Sequence, residues 1–441
     1  MKFVEAKEPW LGRVPAEWSR SRIRNVADLS PSFSDGVPTV NETCTVVPME
    51  LLSDLGVIDS SNALPCEEVM SGLTLFERGD VLFAKITPCM ENGKGAFVES
   101  LPTRYAYGST EFHVLRPSPK VNGRFLYYYT FNPVFRAYAA ENMSGAAGQK
   151  RVSSRFFKDT RLFLPALPEQ DRIARYLDAS CSAIDAAVVA KHRQLETLDT
   201  LTIVTIQRAV TRGLNSRAEL KPSGLDWLPE VPSHWRIRQI KRRCNLLRGK
   251  FSHRPRNDPA LYDGEYPFVQ TGDITGAHKY IRTYSQTLNE LGFSVSKMFP
   301  KGTLVMSIAA NVGDVAILDF QACFPDSMVG LVPNHKTDLN FLYYLMRGMK
   351  EVLLRSAVLT TQLNLNYVRI GTNFAPFPPK KEQEEIAAFL DAKIEGIRRT
   401  KAVLNQQIKT VTAYRKSLIH ECVTGQRRVT DADLKQVGAN A

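Results

Sequence analysis

WLGRVPAEW at residues 10–18 returns as WLPEVPSHW at residues 227–235, and the two copies hold all four tryptophans of the chain. A second motif is also present twice, because LPEQDRIARYLD at 167–178 corresponds to KEQEEIAAFLD at 381–391. The first pair is offset by 217 residues (10 to 227) and the second, glutamate to glutamate, by 213 (169 to 382). Two motifs in the same order at nearly the same offset predict a chain built from two diverged copies of one unit.

Such a repeat gives the molecule approximate twofold symmetry. We expect its binding partner to have approximate twofold symmetry as well. The net charge of +12 and the pI near 9.3 favour a polyanion, because clustered Lys and Arg side chains release counterions from phosphates. Duplex DNA is therefore the leading candidate. The hydrophobic fraction of 44% and charged fraction of 23% are typical of globular protein with room for two to four domains.

The same composition argues against membrane and disulfide classes of protein. The sequence contains no apolar run of about 18 residues, which a membrane-spanning helix needs, and its first residues lack the apolar core of a signal peptide. The seven cysteines are odd in number and contain no C-x-x-C pair, so we expect reduced thiols in a cytoplasmic protein, with neither a disulfide frame nor a zinc site.

Residues 168–213 and 380–425 each predict one long helix with a heptad seam, reached by steps of four and three. A lysine interrupts each seam, at Lys191 and Lys401. A narrow apolar stripe of this kind is best buried by another like it, so the two helices should pack together; the alternative is two unrelated amphipathic helices on separate cores. The apolar seam residues are Leu177, Ile184, Val188, Leu195 and Leu198 in the first helix, and Leu390, Ile394, Ile397, Leu404, Ile408, Val411 and Leu418 in the second.

The segments 1–167 and 214–379 are richer in Pro and Gly, and each mixes short β-type runs with one helical candidate. Strands are predicted at 80–84, 303–306 and 315–318, and helices at 125–139 and 339–354. The predicted fold class is α+β, with two mixed domains, two long helices and a tail at 426–441. Outside the repeated motifs the two domains share little sequence, which suggests two binding surfaces for different targets.

Motifs of enzyme chemistry are missing from the sequence. It has no H-E-x-x-H helix, no G-x-x-x-x-G-K-[ST] phosphate loop and no G-x-S-x-G elbow. The Asn/Asp-Pro-Pro-aromatic loop of an adenine methyltransferase is also absent, and the histidines are scattered singly. We therefore expect no catalytic centre, no metal and no cofactor bound by this chain.

Candidate DNA-contacting residues lie in polar loops and in a run from 236 to 256 that holds nine Lys or Arg and no acid. Asn, Gln, Lys and Arg on such loops can hydrogen-bond base edges or phosphates, although ordinary turn roles are as common. The candidates are Lys85, Asn92, Lys94, Gln149, Lys150 and Arg151 in the first domain, and Arg248, Lys250, Arg254, Arg256, Thr271, Asn311, Gln362 and Asn364 in the second.

Taken together, the motifs resemble the specificity subunit of type I restriction–modification systems over nearly the whole chain. The opener W-L-x-x-V-P-x-x-W, the stretch 109–117 (STEFHVLRP) and the two E-Q-x-x-I-A-x-x-L-D helix starts carry this resemblance. It implies two target-recognition domains held apart by antiparallel helices, each reading one half of a split, asymmetric DNA site. The expected partners are double-stranded DNA, two modification subunits and restriction (translocase/nuclease) subunits, with S-adenosylmethionine, ATP and Mg bound by those subunits and not by this chain.

Three other interpretations remain open from sequence. The chain could be a fused methyltransferase or nuclease with unrecognised motifs, or a scaffold that joins only protein partners. It could also be the specificity subunit of a system in which methylation and cleavage share one partner polypeptide. Activity of the chain alone, sequence-independent duplex binding, or the neighbouring gene would separate these from the leading interpretation.

Overall fold

The computed structural model describes residues 2–33, 42–69, 71–146, 148–309, 311–355, 358–359 and 363–438, with only the backbone described at 358–359, 363–364 and 438. The chain divides into two compact units. Unit 1 comprises 1–192 and 405–441, and unit 2 comprises 193–404. Each unit therefore contains one mixed domain, half of one long helix and half of the other.

The strands of unit 1 are β1 (Phe3–Glu5), β2 (Arg13–Pro15), β3 (Ser19–Arg22), β4 (Ala27–Leu29), β5 (Thr43–Val47), β6 (Ala63–Pro65), β7 (Thr74–Glu77), β8 (Val81–Ala84), β9 (Gly95–Phe97), β10 (Tyr105–Gly108), β11 (Phe112–Pro117) and β12 (Arg161–Leu164). Its helices are α1 (Cys66–Val69), α2 (Gly123–Phe131), α3 (Pro133–Glu141), α4 (Ser154–Asp159) and the first half of α5 (Leu167–Arg212).

The strands of unit 2 are β13 (Leu220–Leu225), β14 (Leu228–Pro232), β15 (Arg236–Gln239), β16 (Cys244–Arg248), β17 (Tyr262–Phe268), β18 (Tyr280–Ile281), β19 (Gln286–Leu288), β20 (Met298–Phe299), β21 (Leu304–Ser307), β22 (Val315–Leu318), β23 (Ala322–Cys323), β24 (Met328–Pro333), β25 (Val358–Leu359), β26 (Leu363–Asn364) and β27 (Phe374–Phe377). Its helices are α6 (Thr271–Gly276), α7 (Glu290–Ser294), α8 (Leu339–Gly348), α9 (Lys350–Arg355), α10 (Tyr367–Thr372) and the first half of α11 (Lys380–Val423). The tail helix α12 (Asp431–Gly438) belongs to unit 1.

Both domains are built on short sheets, of which β4-β11-β8-β9 is antiparallel and the other three main sheets each contain one parallel pair. In unit 1 the main sheets have the orders β6-β5-β10-β7 and β4-β11-β8-β9, and in unit 2 the orders are β16-β24-β21-β22-β18 and β19-β17-β23-β20. The strands predicted at 80–84, 303–306 and 315–318 appear as β8, β21 and β22, and nearly all their residues are buried. The predicted α+β class with an internal repeat is confirmed.

The helix predicted at 125–139 is instead two helices. Pro133 cannot donate a backbone hydrogen bond to the preceding turn, and the Asn132 side chain accepts from the Val134 amide to begin α3. The prediction at 339–354 is also divided, into α8 and α9.

The repeated E-Q motif has the same structural role in both units. Gln170 accepts from the Asn122 amide (2.8 Å) and donates to the Pro165 carbonyl (2.8 Å). Gln383 accepts from the Asp338 amide (2.9 Å) and donates to the Pro378 carbonyl (2.9 Å). The buried glutamine thus joins the start of each long helix to the residue that caps the core helix of its domain.

The aspartate at the end of the same motif completes this attachment. Asp178 accepts from the hydroxyl of Tyr128 (2.7 Å) and from Arg124 (2.8 Å). Asp391 accepts from the hydroxyl of Tyr344 (2.5 Å) and from Lys279 (2.6 Å). Charge-assisted hydrogen bonds of this kind are among the stronger polar contacts. Each domain is therefore attached to its long helix at two points, the glutamine and the aspartate of the repeated motif.

The long helices α5 and α11 run in opposite directions within each unit. In unit 1 Asp185 pairs with Arg415 (3.0 Å) and Lys191 donates to Gln407 (2.6 Å). Residue numbers therefore increase along α5 while those of the contacting residues decrease along α11. In unit 2 Lys401 pairs with Asp199 (2.5 Å). The polar interruptions of the heptad pattern therefore each meet a polar side chain of the opposite helix.

Along the middle of both helices the heptad positions are among the least exposed. Every apolar seam residue named above is buried or half-buried, whereas the residues immediately flanking each position on the outer face are mostly exposed. The helices span 46 and 44 residues and begin and end within two residues of the predicted bounds.

The expectation that all cysteines are free thiols is wrong for one pair. Cys44 in β5 and Cys66 at the start of α1 form a disulfide. β5 and β6 are antiparallel neighbours, with Thr43 opposite Pro65, so the pairing places the two cysteines side by side although 22 residues separate them. Sequence spacing does not reveal such a neighbourhood. The five other cysteines are free.

Candidate nucleic-acid interface

The two polar loops predicted in the first domain lie against each other. The Thr87 amide donates to the Lys150 carbonyl (3.0 Å), and the Lys150 amide donates to the Thr87 hydroxyl (3.1 Å). The Val152 amide donates to the Lys85 carbonyl (2.9 Å). Residues 85–87 and 150–152, which are more than sixty positions apart in sequence, thus lie side by side. Gln149 and Lys150 are exposed there and Lys85 is half-buried.

An ion pair fixes the second loop to the sheet. The guanidinium of Arg151 donates to both carboxylate oxygens of Glu111 at 2.8–3.1 Å, in the bidentate geometry that planar arginine favours. The hydrogen bond from Arg151 lowers the pKa of Glu111 despite partial burial. Arg151 therefore has a partner within the protein, and its place in the candidate interface is to hold the loop.

The first loop is supported from beneath by Arg136. This buried guanidinium donates to the carbonyls of Met90 (2.8 Å) and Lys94 (3.2 Å), and it lies 4.5 Å from the ring centroid of Phe83. Burial lowers its pKa to about 10. The Lys94 ammonium donates to the Met49 carbonyl (2.7 Å). Asn92 is exposed at the turn. The loop thus presents Asn92 on a backbone that is held in place.

His113 lies under both loops. Its Nε2 is 2.8 Å from the Val152 carbonyl, and its ring packs against Phe157 at 5.1 Å between centroids. Burial lowers the pKa of His113 to about 4, and the nearby charge of Lys85 acts in the same direction. The imidazole is therefore neutral at pH 7 and donates through Nε2, so it contributes to the support of the loops without adding charge.

In unit 2 three of the predicted arginines converge on Asp326. Arg254 is 3.4 Å from its carboxylate, Arg256 also contacts the carboxylate, and Arg248 donates to its backbone carbonyl (3.2 Å). Three guanidinium groups against one carboxylate leave a local excess of two positive charges (three minus one). Lys250 is exposed nearby in sequence. This cluster has the composition expected for phosphate contact.

The earlier residues of the basic run from 236 to 256 make other contacts than those on Asp326. The first part of the run lies on β15, which pairs with β27, and there Arg236 and Arg238 are exposed on alternate positions. Arg243 lies 4.8 Å from the ring centroid of Phe377. Burial lowers the pKa of Arg243, and the charges of Arg238 and Arg236 lower it further, which indicates that these cations lie near one another.

Unit 2 also has two loops that lie against each other, and they repeat part of the loop arrangement of unit 1. The Leu365 amide donates to the Ile308 carbonyl (3.0 Å), as Val152 does to Lys85. Asn311 donates to the Thr275 hydroxyl (2.9 Å) on α6, the helix that begins at Thr271. Gln362 and the side chain of Asn364 lie outside the described residues.

Several residues that shape these surfaces were not predicted. Glu111, Arg136 and Asp326 each pair with, or hold, a loop that is distant in sequence. Only Glu111 gave a signal, because it lies in the 109–117 stretch that resembles a known family. Within the described part of the chain no group of three or more His, Cys, Asp or Glu is placed to hold a metal ion.

The family model for the "Type I restriction modification DNA specificity domain" matches residues 17–196 and again residues 232–410, which together exceed half of the chain. The chain belongs to this family. The two matches coincide with the two copies of the repeat. Members of the family are specificity subunits of type I restriction–modification systems, and DNA recognition is the role that membership implies.

Curated relatives agree with this membership. The EcoAI specificity subunit of Escherichia coli is 34% identical over 176 residues, which is 39% of this chain and 29% of that protein. The EcoEI subunit of the same organism is 30% identical over a similar share, so the chain matches less than a third of the length of either. The putative MjaX specificity subunit of Methanocaldococcus jannaschii is 24% identical over 96% of both chains.

Solved structures show the same fold. A chain from a type I R-M system, studied for complex assembly and conformational transition, superposes with a TM-score of 0.76 at 18% identity over 94% of this chain and 99% of that one. The HsdS subunit from Thermoanaerobacter tengcongensis gives a TM-score of 0.56 at 18% identity over 94% and 98%. None of the helices in the described part of this chain is long and apolar enough to cross a membrane.

Proposed function

We propose that this chain recognises a bipartite, asymmetric DNA sequence for a type I restriction–modification complex, with each domain reading one half-site. The observation that carries the proposal is the repeated attachment of a strand-end polar loop to a second loop, Val152 to Lys85 in unit 1 and Leu365 to Ile308 in unit 2. The two surfaces share this backbone frame but present different side chains, which is what two different half-sites require.

The long helices are proposed to set the spacer between the half-sites and to dock two modification subunits. At about 1.5 Å per residue, helices of 46 and 44 residues are about 69 and 66 Å long. A duplex turn is about 34 Å, so helices of this length can match a separation of one to two turns. The motif residues Gln170 and Gln383 support this role, because they attach each domain rigidly to the start of a helix.

In this proposal the chain itself has no catalytic centre and works in the cytoplasm. The modification subunits would methylate adenine N6 with S-adenosylmethionine, and the restriction subunits would use ATP and Mg. This chain would contribute the arrangement of loops and basic residues, such as Lys150 and the cluster on Asp326, that selects and holds the duplex.

The test is reconstitution from purified components. The chain alone should transfer no methyl group from labelled S-adenosylmethionine to any duplex, whereas the chain with its modification subunits should methylate one split sequence. Methyl transfer by the chain alone would overturn the non-catalytic assignment. A complex that methylates contiguous or random sites would overturn the bipartite assignment.

A further inference from the structure

Unit 2 contains an apolar depression of about 410 Å³ between the end of α5 and the start of α11. Its lining includes five large apolar side chains that are substantially exposed: Leu201 (43%), Val204 (52%), Leu214 (45%), Leu220 (36%) and Phe389 (42%). We call this the α5–α11 groove. Isolated exposed apolar residues are ordinary, but a contiguous group in one concave site is typical of a binding surface.

The internal repeat supplies a comparison for this groove. Phe389 corresponds to Tyr176 (389 minus 213), which has the same place at the start of α5 in unit 1. Tyr176 is only 5% exposed, because the C-terminal tail covers it. The guanidinium of Arg427 lies 5.2 Å from the centroid of its ring, and Val429, 2% exposed, belongs to the same core cluster. The surface around Tyr176 in unit 1 is therefore covered by the tail, whereas the equivalent surface around Phe389 in unit 2 is open.

The charge at one rim position differs in sign between the two places. In unit 2 the groove is lined by Arg208, Arg212 and Lys393, of which Arg212 lies 3.7 Å from Glu230. In unit 1 the position of Arg208 is held by Glu421 (208 plus 213), and the segment that covers it begins with the basic pair at 427–428. In unit 1 the residue that covers Tyr176 is therefore basic, Arg427, and an acid lies at the rim of the same place. By the same complementarity, the basic rim of unit 2 fits an acidic segment.

We propose that the α5–α11 groove docks a short apolar segment bearing acidic side chains, contributed by another protein chain. The groove's apolar floor disfavours DNA phosphates as its occupant, because burying apolar area rewards an apolar partner. The tail of a second copy is disfavoured as well, since its 427–428 pair would meet Arg208 and Arg212. This inference rests on the proposed function in one respect, because the partner used to test it is the modification subunit.

The experiment measures the Kd of the modification subunit for the full-length chain and four variants. Phe389→Glu and Leu201→Glu each place a carboxylate on the exposed groove floor, and Arg208→Glu reverses one rim charge. Leu291→Glu is the matched control, because Leu291 is 58% exposed on the short helix α7, away from the long helices, and does not line the groove. All four positions are exposed helix sites, where glutamate is a good helix former.

Each groove variant should weaken binding by about tenfold or more, as central interface residues do, while Leu291→Glu should leave Kd unchanged. The loss with Arg208→Glu should shrink at high salt, because exposed charge pairs are screened. Unchanged Kd for both floor variants would overturn this inference and leave the proposed function standing. A wild-type chain that does not bind the modification subunit would overturn both.

Two further outcomes would assign the groove to a different occupant. Sedimentation that shows a wild-type dimer and a Phe389→Glu monomer would make it a self-association surface. Weaker duplex binding by Phe389→Glu, without the modification subunit present, would make it part of the DNA interface. Either result contradicts docking of an acidic partner segment.

Discussion

Replacement of His113 by glutamine should remove an acid sensitivity from unit 1. His113 is 3% exposed, and burial lowers its pKa to about 4 from the ordinary 6.5. Between pH 6.5 and pH 4 His113 is protonated in the unfolded chain but stays neutral in the folded chain. The free energy of unfolding of unit 1 is therefore highest above pH 6.5 and decreases as the pH falls towards 4.

The size of the effect follows from the shift. A difference of about 2.5 pKa units at about 1.36 kcal/mol per unit limits the loss to roughly 3.4 kcal/mol, of which about 2 kcal/mol should be lost by pH 5. The Nε2 hydrogen bond to Val152 joins His113 to the second loop, so the loops should loosen along with the core.

Hydrogen exchange across a urea series at pH 7, 6 and 5 measures the unfolding free energy of each unit separately. The wild type should lose about 2 kcal/mol in unit 1 between pH 7 and pH 5, beyond the loss shown by His113→Gln. His335→Gln, at an exposed histidine of unit 2, is the control and should leave the unit 1 profile unchanged. If the unfolding free energy of unit 1 changed with pH in the same way in the wild type and in His113→Gln, the claim that His113 is buried and neutral would be refuted.

Three other results are expected. Replacing Arg254 and Arg256 together by glutamine should reduce the slope of log K against log salt for duplex binding by up to about 2, and an unchanged slope would exclude phosphate contact by this cluster. Tyr344→Phe removes a 2.5 Å hydrogen bond to a carboxylate on α11 and should destabilise unit 2 by about 1.5–3 kcal/mol in urea unfolding, with unit 1 unaffected. Inserting one heptad after His192 and one after Leu404 keeps the seam and adds about 10.5 Å, so the methylated spacer should lengthen by about three base pairs; an unchanged spacer would show that the helices do not set it.

The sequence predicted the features that depend on periodicity and repetition. The heptad spacing predicted two long helices, which the structure has as α5 and α11, because a seam must recur every three or four positions along a packed helix. The repeated motifs located both copies of the unit, and the structure gives the reason for their repetition: Gln170 and Gln383 make the same pair of hydrogen bonds.

The candidate interface was less predictable, because its contacts join segments that are far apart in sequence. Arg151 was a candidate DNA contact from sequence, but in the structure it donates to Glu111, forty residues away. The basic run looked continuous, yet Asp326 gathers its later arginines while the earlier ones lie on β15. The Cys44–Cys66 disulfide was missed for the same reason, since strand pairing and not spacing brings the two together.

The central claim is that each unit reads one half of the DNA site. The most direct test exchanges residues 20–160 for the corresponding domain of another family member, reconstitutes the complex with its modification subunits, and maps methylated adenines across a genome. The account predicts that one half of the split motif changes while the other half and the spacer remain as they were. A motif that changes in both halves, or in neither, would contradict it.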